Sequence, residues 1–368
     1  MVEAYKSVRQ LVLQRIENQD YALGSQVDSF RALARSTGTS TIAVYRALTQ
    51  LVSEGYLRNE PRRGYFVTRP SSGGNAQRAG TVGLLVCRPQ QAGDLSSDFR
   101  DVMTTVQTNF MRKERSILVL GALVSGTAPK VYMSPEAVVE RQLEGVLTYA
   151  IYDLPYLASL AAVQRNVVAL DVDSSDVAVN SVSFDNLAAG CELVRRLYAR
   201  GARRIAFMGG PFPPPTPDMP GVIYDPAARE RFDGWRLGMQ LSGLSPDEEL
   251  VFLAQYRDNR EVGAFIAGSL RKSAPPDAIV TEFPDGVCAA LDANGVKPGA
   301  IPVACWSDSS AAAGWPAAVG CGALCDFKEL AKQGAEVLAQ RMEKPGPKAE
   351  RRRIPLPIVE RFAPASDA

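Results

Sequence analysis

Apolar residues in the first seventy positions recur at two periods. Tyr5, Val8, Leu11, Val12 and Ile16 share one face of a helix that runs out near residues 18–24. Phe30, Leu33 and Ala34 predict a second helix, for which Asp28 or Ser29 can serve as N-cap. Thr37, Gly38, Thr39 and Ser40 are turn chemistry, and Thr39 or Ser40 suits the start of a third helix. There Val44, Ala47, Leu48 and Leu51 point to a core, which turns Ile42, Tyr45, Arg46 and Thr49 outward. Tyr56, Leu57, Tyr65, Phe66 and Val67 then flank a polar tip at residues 61–63, a short hairpin. This order of helices, turn and hairpin describes a winged helix-turn-helix over residues 1–69.

Residues 70–80 are a linker by composition. Over residues 81–368 the pattern changes to continuous apolar runs separated by helical stretches. Runs at 81–87, 116–124, 145–150, 166–172, 204–209, 277–282 and 301–307 have the character of buried parallel strands. Helical periodicity covers 97–112, 134–142, 186–200, 226–241, 261–269, 285–293 and 327–342. The alternation predicts an α/β fold, an open parallel sheet with enough units for two lobes. Residues 209–226 hold seven prolines and so form neither helix nor central strand. They leave the end of a strand where such sheets bind ligands, or they are a rigid surface loop.

A chain of 368 residues exceeds one ordinary core and calls for two or three domains. No apolar run approaches the ~18 residues that span a bilayer, and the first residues lack a signal-peptide pattern. A cytoplasmic protein without a membrane partner is expected. The absence of histidine removes Ser-His-Asp and Cys-His catalysis, His-ligated zinc and His general bases. Cys87, Cys191, Cys288, Cys305, Cys321 and Cys325 are scattered in mostly apolar segments, as buried free thiols rather than a metal or redox site. Cys321 and Cys325 are too far apart for a Cys-x-x-Cys pair. Neither a metal nor a cofactor is expected. The net charge of +1 hides an asymmetry, ten Lys/Arg against six Asp/Glu in residues 1–70 and 31 against 34 in the rest. A basic head on a mildly acidic body fits a nucleic-acid-binding head.

The stretch VDSFRALARSTGTSTIAVYRALTQLVSEGYLRNEPRRGYFV resembles the GntR-type winged helix-turn-helix. It matches at several fixed spacings, through the turn, the Ala-Leu of the third helix, Glu-Gly, and a wing ending Gly-x-Phe-Val. The resemblance implies DNA contacts at Arg31, Ser40, Thr41, Ile42, Tyr45 and the wing, including Arg62 and Arg63; the helical wheel adds Arg46. Thr41 and Tyr45 stand where many members carry arginine, and Arg62 where a wing glycine is usual, so no base sequence carries over. Ile42 can pack on a thymine methyl, Arg46 can reach guanine or phosphate, and Arg62 and Arg63 suit phosphates or the minor groove. The alternatives are a solvated Arg46 and a Tyr45 that only packs.

Residues 81–368 resemble the LacI/GalR-type periplasmic-binding-protein-like sensor domain. The matching pieces are TVGLLV, LEGVLTY, VVALDVDSSDVAVNSVSFDNLAAG, LYARGARRIAFMGG, RFDGWRLGMQLSGL and IPLPIVERFA. The resemblance implies ligand contacts at Asp171 and Arg231, and offers Asp285 as an offset candidate where the family's Asn-Asp-x-x-Ala falls on residues 283–287. Strand-end carboxylates and arginines bind hydroxyls, though Asp171 and Arg231 could equally pair with each other. Trp235 and Trp306 can stack on a sugar ring or belong to the core. The combination resembles the arabinose-repressor type of GntR/LacI chimera.

The expectation is therefore a ligand-responsive transcriptional regulator, a repressor. It would bind a pseudo-palindromic double-stranded DNA operator as a homodimer, modulated by a small-molecule effector such as a sugar in the inter-lobe cleft. The alternative is a DNA-binding scaffold whose degenerate sensor domain dimerises or binds a protein. Fusion to an aminotransferase-like enzyme conflicts with the short body and with the lack of a lysine in a cofactor-like strand-end setting.

Overall fold

A computed structural model describes residues 2–17, 20–22, 24–53, 56–60, 63–68, 80–86, 88–90, 96–121, 123–125, 132–210, 225–253, 259–344, 346 and 348–362. Arg62, Cys87, nearly all of the 70–80 linker and most of the proline-rich 209–226 segment lie outside the described residues. The chain divides into a head, Met1–Gly80, and a body, Thr81–Ala368.

The head comprises α1 (Val2–Glu17), α2 (Phe30–Thr37), α3 (Thr41–Ser53), β1 (Leu57–Glu60) and β2 (Gly64–Val67). Of the two candidate caps for α2, Ser29 takes the role, accepting from the Ala32 N–H at 3.3 Å. Asp28 instead pairs with Arg15. Gly38 ends α2 in the left-handed conformation at φ 64°, which a residue without Cβ adopts freely. Two residues on, the Ser40 hydroxyl accepts from the Ala43 N–H at 3.2 Å and starts α3. β1 and β2 pair antiparallel from Leu57↔Val67 to Glu60↔Gly64, and Gln26 bridges the free edge of β2 at Phe66. Val8, Val12, Ile16, Leu33, Val44, Leu48, Leu51, Leu57 and Val67 close the core, as the periodicity predicts.

The body opens with β3 (Thr81–Val86), β4 (Arg88–Gln90), α4 (Ser97–Met111), β5 (Ser116–Leu120) and β6 (Leu123–Ser125). There follow α5 (Pro135–Val139), β7 (Gly145–Tyr149), α6 (Leu154–Val163), β8 (Val167–Leu170), β9 (Asn180–Phe184) and α7 (Asn186–Ala199). The middle holds β10 (Ile205–Gly209), α8 (Pro226–Leu241), β11 (Val251–Leu253), α9 (Asn259–Leu270), β12 (Ala278–Thr281) and α10 (Pro284–Ala293). β13 (Val303–Asp308), β14 (Val319–Cys325), α11 (Phe327–Glu343), β15 (Arg351–Ile354) and β16 (Ile358–Glu360) complete it.

Two six-stranded sheets result. The first has the order β15-β9-β8-β7-β3-β5 and is parallel throughout. The second has the order β11-β10-β12-β13-β14-β16, parallel except for the antiparallel edge strand β16. The run 116–124 is not one strand. It breaks at Gly121 (φ 108°), where a Cβ would lie 2.0 Å from the Val86 carbonyl oxygen, and β6 then pairs with β4 in a separate ribbon. The helix expected over 134–142 shrinks to the five residues of α5. Cys288, Cys305, Cys321 and Cys325 are buried free thiols, and burial pushes each of them up. No described helix is long and apolar enough to cross a membrane.

The chain passes between the sheets three times, from β9 to α7, from β14 to α11 and from β15 to β16. These passages are tied side by side. The Asp185 N–H donates to Ile354 O and the Leu324 N–H to Pro357 O, both at 2.9 Å.

α7 and α8 pack through glycines. A Cβ on Gly234 would lie 2.4 Å from the Leu187 carbonyl oxygen, and one on Gly190 would lie 2.9 Å from the Arg231 carbonyl oxygen. Alanine is favoured over glycine inside a helix by about 1 kcal/mol, but a clash with backbone outweighs that gain. Gly234→Ala is therefore expected to destabilise the body by about 1–3 kcal/mol. Gly263→Ala in α9, with nothing within 4 Å of the added Cβ, should be neutral or stabilising. Urea titration of both variants checks the pair.

Candidate functional site

Two places gather the residues that sequence reasoning selects. The first is the outer face of the head. Ile42 is 67% exposed and Tyr45 57% exposed, although both are large and apolar. Arg46, Thr41, Ser40 and, on α2, Arg31 are exposed beside them in sequence. Tyr45 leans on Phe30 at 6.4 Å between ring centroids, and Phe30 meets Tyr65 edge-on, so the tyrosine is propped outward from the core. The cap role of Ser40 leaves its hydroxyl already engaged with the helix. In the wing, Arg63 pairs with Glu60 at 2.6 Å and lies over the Phe66 ring at 5.2 Å. Arg58 grips the same glutamate at 2.8 Å. Exposed pairs of this kind contribute about 0–1 kcal/mol, little enough for a phosphate to displace.

The second place lies where the carboxyl ends of the two parallel sheets meet, the position at which open α/β sheets bind ligands. Ser97, at the start of α4, donates to Asp308 at the end of β13 across 2.8 Å. Arg353 of β15 reaches Asp173 at 2.5 Å and Glu230 of α8 at 3.1 Å. These contacts bring the lobes together around a floor built on Arg231.

The close crossing of α7 and α8 sets Arg231 against Asn186, whose Oδ1 accepts from the arginine Nε–H at 3.0 Å. The guanidinium, only 11% exposed, makes its ion pair with Glu282 at 2.7 Å; that carboxylate is 2% exposed. Gly209 leaves the room, since a Cβ there would come 2.4 Å from Glu282 Oε1. The buried Trp306 ring lies 5.7 Å from the guanidinium carbon, a cation–π distance. Burial works against the charged guanidinium, but Glu282 together with Cys325, Asp225 and Asp171 outweighs it, so its pKa is raised.

Asp171 ends β8 in the left-handed conformation at φ 61°, held by its N–H donating to Val182 O at 2.9 Å. Such a backbone costs a residue with a Cβ about 1–3 kcal/mol, a strain that collects at functional sites. Among the described residues its half-buried carboxyl makes neither a hydrogen bond nor an ion pair. Burial, and after it the charge of Asp225, pushes it up to about 8. Asp171 and Arg231 thus share the floor but are not an ion pair. Asp285 stands exposed in the first turn of α10, and the carboxylate that reaches Arg231 is Glu282. Sequence reasoning missed Glu282 because it reads as the end of an apolar strand, 51 residues from its partner. Trp306 is 4% exposed; Trp235 is fully buried and packs on Phe207 and Phe232, and neither indole N–H has a partner among the described residues. Nearby, Asp98 accepts from the Tyr149 hydroxyl at 2.5 Å, and Asp225 caps α8 at the Ala227 N–H.

Residues 4–67 match the family model described as bacterial regulatory proteins, gntR family, and residues 194–362 match the periplasmic binding protein-like domain. No curated protein sequence matches the chain. Among solved structures, the transcriptional regulator CelR in complex with cellobiose is 21% identical, covering 94% of this chain and 93% of its own, with a TM-score of 0.59. The Lac repressor bound to ONPG is 18% identical over 94% and 93%, TM-score 0.60. A LacI-family regulatory protein from Chloroflexus aggregans is 16% identical over 77% and 98%, TM-score 0.63. The chain thus joins a gntR-type DNA-binding head to a periplasmic-binding-protein-like body. Both matched models and these neighbours are regulators or binding domains, not enzymes.

Two outcomes follow from the floor. The folded protein holds a proton on Asp171 up to about pH 8, whereas an unfolded chain releases it near pH 4. Stability from this group is complete below that lower value and is lost as pH rises through the folded one. Glu230, pushed up to about 6 by burial, acts in the same direction. Asp171→Asn should therefore lose less melting temperature than the wild type between pH 5 and 8; an unchanged slope contradicts the assignment. Separately, Glu282→Ala strands a buried guanidinium and should cost about 3–5 kcal/mol in chemical denaturation. Adding Arg231→Met to it should recover much of that loss.

Proposed function

We propose that the protein is a ligand-responsive transcriptional repressor that binds a pseudo-palindromic operator as a homodimer in the cytoplasm, with a small-molecule effector in the inter-lobe cleft. The carrying observation is the exposed Ile42, Tyr45 and Arg46 face of α3 on a gntR-type head. A monomeric head has no internal use for two large apolar side chains held in water beside an arginine. A helix in the major groove does, through thymine methyls and guanine or phosphate. Arg31, Ser40 and Thr41 would flank it, and Arg63 of the wing would exchange Glu60 for a phosphate, with Arg62 beside it in sequence.

For the body, the support is Asp171: a strained strand-end carboxyl with no protein partner among the described residues, within electrostatic reach of Asp225, Arg231 and Glu230 on the other lobe. A ligand that binds one lobe arrangement better than another shifts the population between them, and so alters the spacing of two heads in a dimer. Similar structures hold cellobiose or ONPG, which makes a sugar the first class to consider. The scaffold alternative draws on one observation, that Arg231 is already satisfied by Glu282 and Asn186. The unpaired Asp171 weighs against it.

An operator selected from random DNA by repeated rounds of binding supplies the probe. Arg46→Ala should weaken it by about 1–3 kcal/mol, some ten- to hundredfold, and relax specificity at one base pair in each half-site. Arg63→Ala should weaken all sequences alike and lower the salt slope by about one. Unchanged binding in both variants, or a monomer that protects a single half-site, would overturn the proposal.

A further inference from the structure

The charges of the cleft are already distributed, and unevenly. Arg231 is taken by Glu282 and Asn186, and Arg353 by Asp173 and Glu230. No described cation forms an ion pair with Asp171 or with Asp225, and both act on the same floor, each raising the pKa of Arg231. Asp98 adds a further carboxylate within electrostatic reach of Asp171. Among the described residues, a ligand entering this floor meets Asp171 and Asp225 without ion-pair partners and guanidiniums that are already paired. An incoming carboxylate or phosphate would add repulsion at short range and would have to break the buried Arg231–Glu282 pair to find a partner. An ammonium group meets the opposite situation: Asp171, which otherwise holds its proton up to about pH 8, gives it up beside the incoming charge and gains a charge-assisted hydrogen bond.

A second observation is independent of the acidic side chains. Trp306, buried against the Arg231 guanidinium, keeps an indole N–H with no acceptor among the described residues. Buried donors of this kind are almost always satisfied, by protein or by something bound. A ligand oxygen that reached the Trp306 N–H would satisfy it, beside a positive charge at Asp171.

We propose that the effector is a small cation carrying both an amine and a hydroxyl or carbonyl oxygen, an amino sugar or amino alcohol, with Asp171 as its ionic partner and Glu282 setting the preference by neutralising Arg231. This rests on the effector-cleft reading above and narrows it to one chemical class. Neutral sugars bind more weakly, because their hydroxyls carry no charge that would ionise Asp171 and pair with it, and acidic ones are rejected.

Matched triplets test it on the full-length protein by thermal shift and calorimetry: ethanolamine, ethylene glycol and glycolate; glucosamine, glucose and glucuronate; galactosamine, galactose and galacturonate. Within a triplet the amine should bind at least tenfold tighter than its neutral counterpart, and the acid should not bind. Asp171→Asn, which keeps the side-chain shape, should remove at least tenfold of the amine's affinity. Conversely, Glu282→Gln should weaken the discrimination against acids in whatever remains folded. Neutral or acidic members binding in preference to amines, yet still lost in Asp171→Asn, would overturn the cationic class and leave the cleft as an effector site. Binding of any member that Asp171→Asn does not alter, or silence across all nine probes, would overturn the cleft reading and this inference together.

Discussion

A guanidinium cannot give up its proton in a protein, so burying one commits the surrounding structure to holding a counter-charge beside it. In the body that group is Arg231. Glu282 must reach it from the end of β12, which requires the neighbouring strand β10 to end in a residue without a side chain, Gly209. Asn186 must reach it from the first turn of α7, which requires α7 and α8 to approach at backbone distance through Gly190 and Gly234. Trp306 covers the guanidinium from β13. Three strand ends and two helices are thus fixed relative to one another by one charge. Glycine disfavours a helix by itself, yet Gly190 and Gly234 are what allow the two helices this approach.

The head was legible almost in full. The inward stripe of α3 and the cap at Ser40 depend on neighbours three or four residues away, and local sequence encodes those directly. In the body, α7, α8, α9, α10 and α11 were readable to within two residues, because each buries one face on a sheet. Several strands were not. β14, Val-Gly-Cys-Gly-Ala-Leu-Cys, lacks the bulky residues of a typical buried strand. Its glycines are set by aromatic rings from elsewhere, Phe362 over Gly320 and Trp315 over Gly322. β15 carries three consecutive arginines, a pattern suited to a sheet edge and opaque without knowing that it lies on one. β9 and α6 also escaped notice, and Gly121 divided a run that periodicity alone made continuous.

For the candidate site the division is similar. Asp171 and Arg231 were visible through resemblance, and the outward set on α3 through the helical wheel. Their partners were not. Glu282 could have been flagged as a charged residue terminating an apolar strand at the ligand end of a sheet, a weak but physical signal. The pairing of Arg63 with Glu60 was in plain sight, three residues apart across a hairpin tip. The orphaned indole of Trp306 has no sequence signature at all, since a missing partner is a property of three-dimensional packing.

The three passages between the sheets lie side by side and are stitched by backbone hydrogen bonds from Asp185 to Ile354 and from Leu324 to Pro357. A joint of three laced strands behaves mechanically like a strip of tape along one edge of a book. It bends readily about the line of the strip and resists sliding or twisting of one cover over the other. Such a joint would favour opening and shutting over other motions of the two sheets, so that a ligand held in the cleft would act on an angle rather than on a diffuse set of displacements.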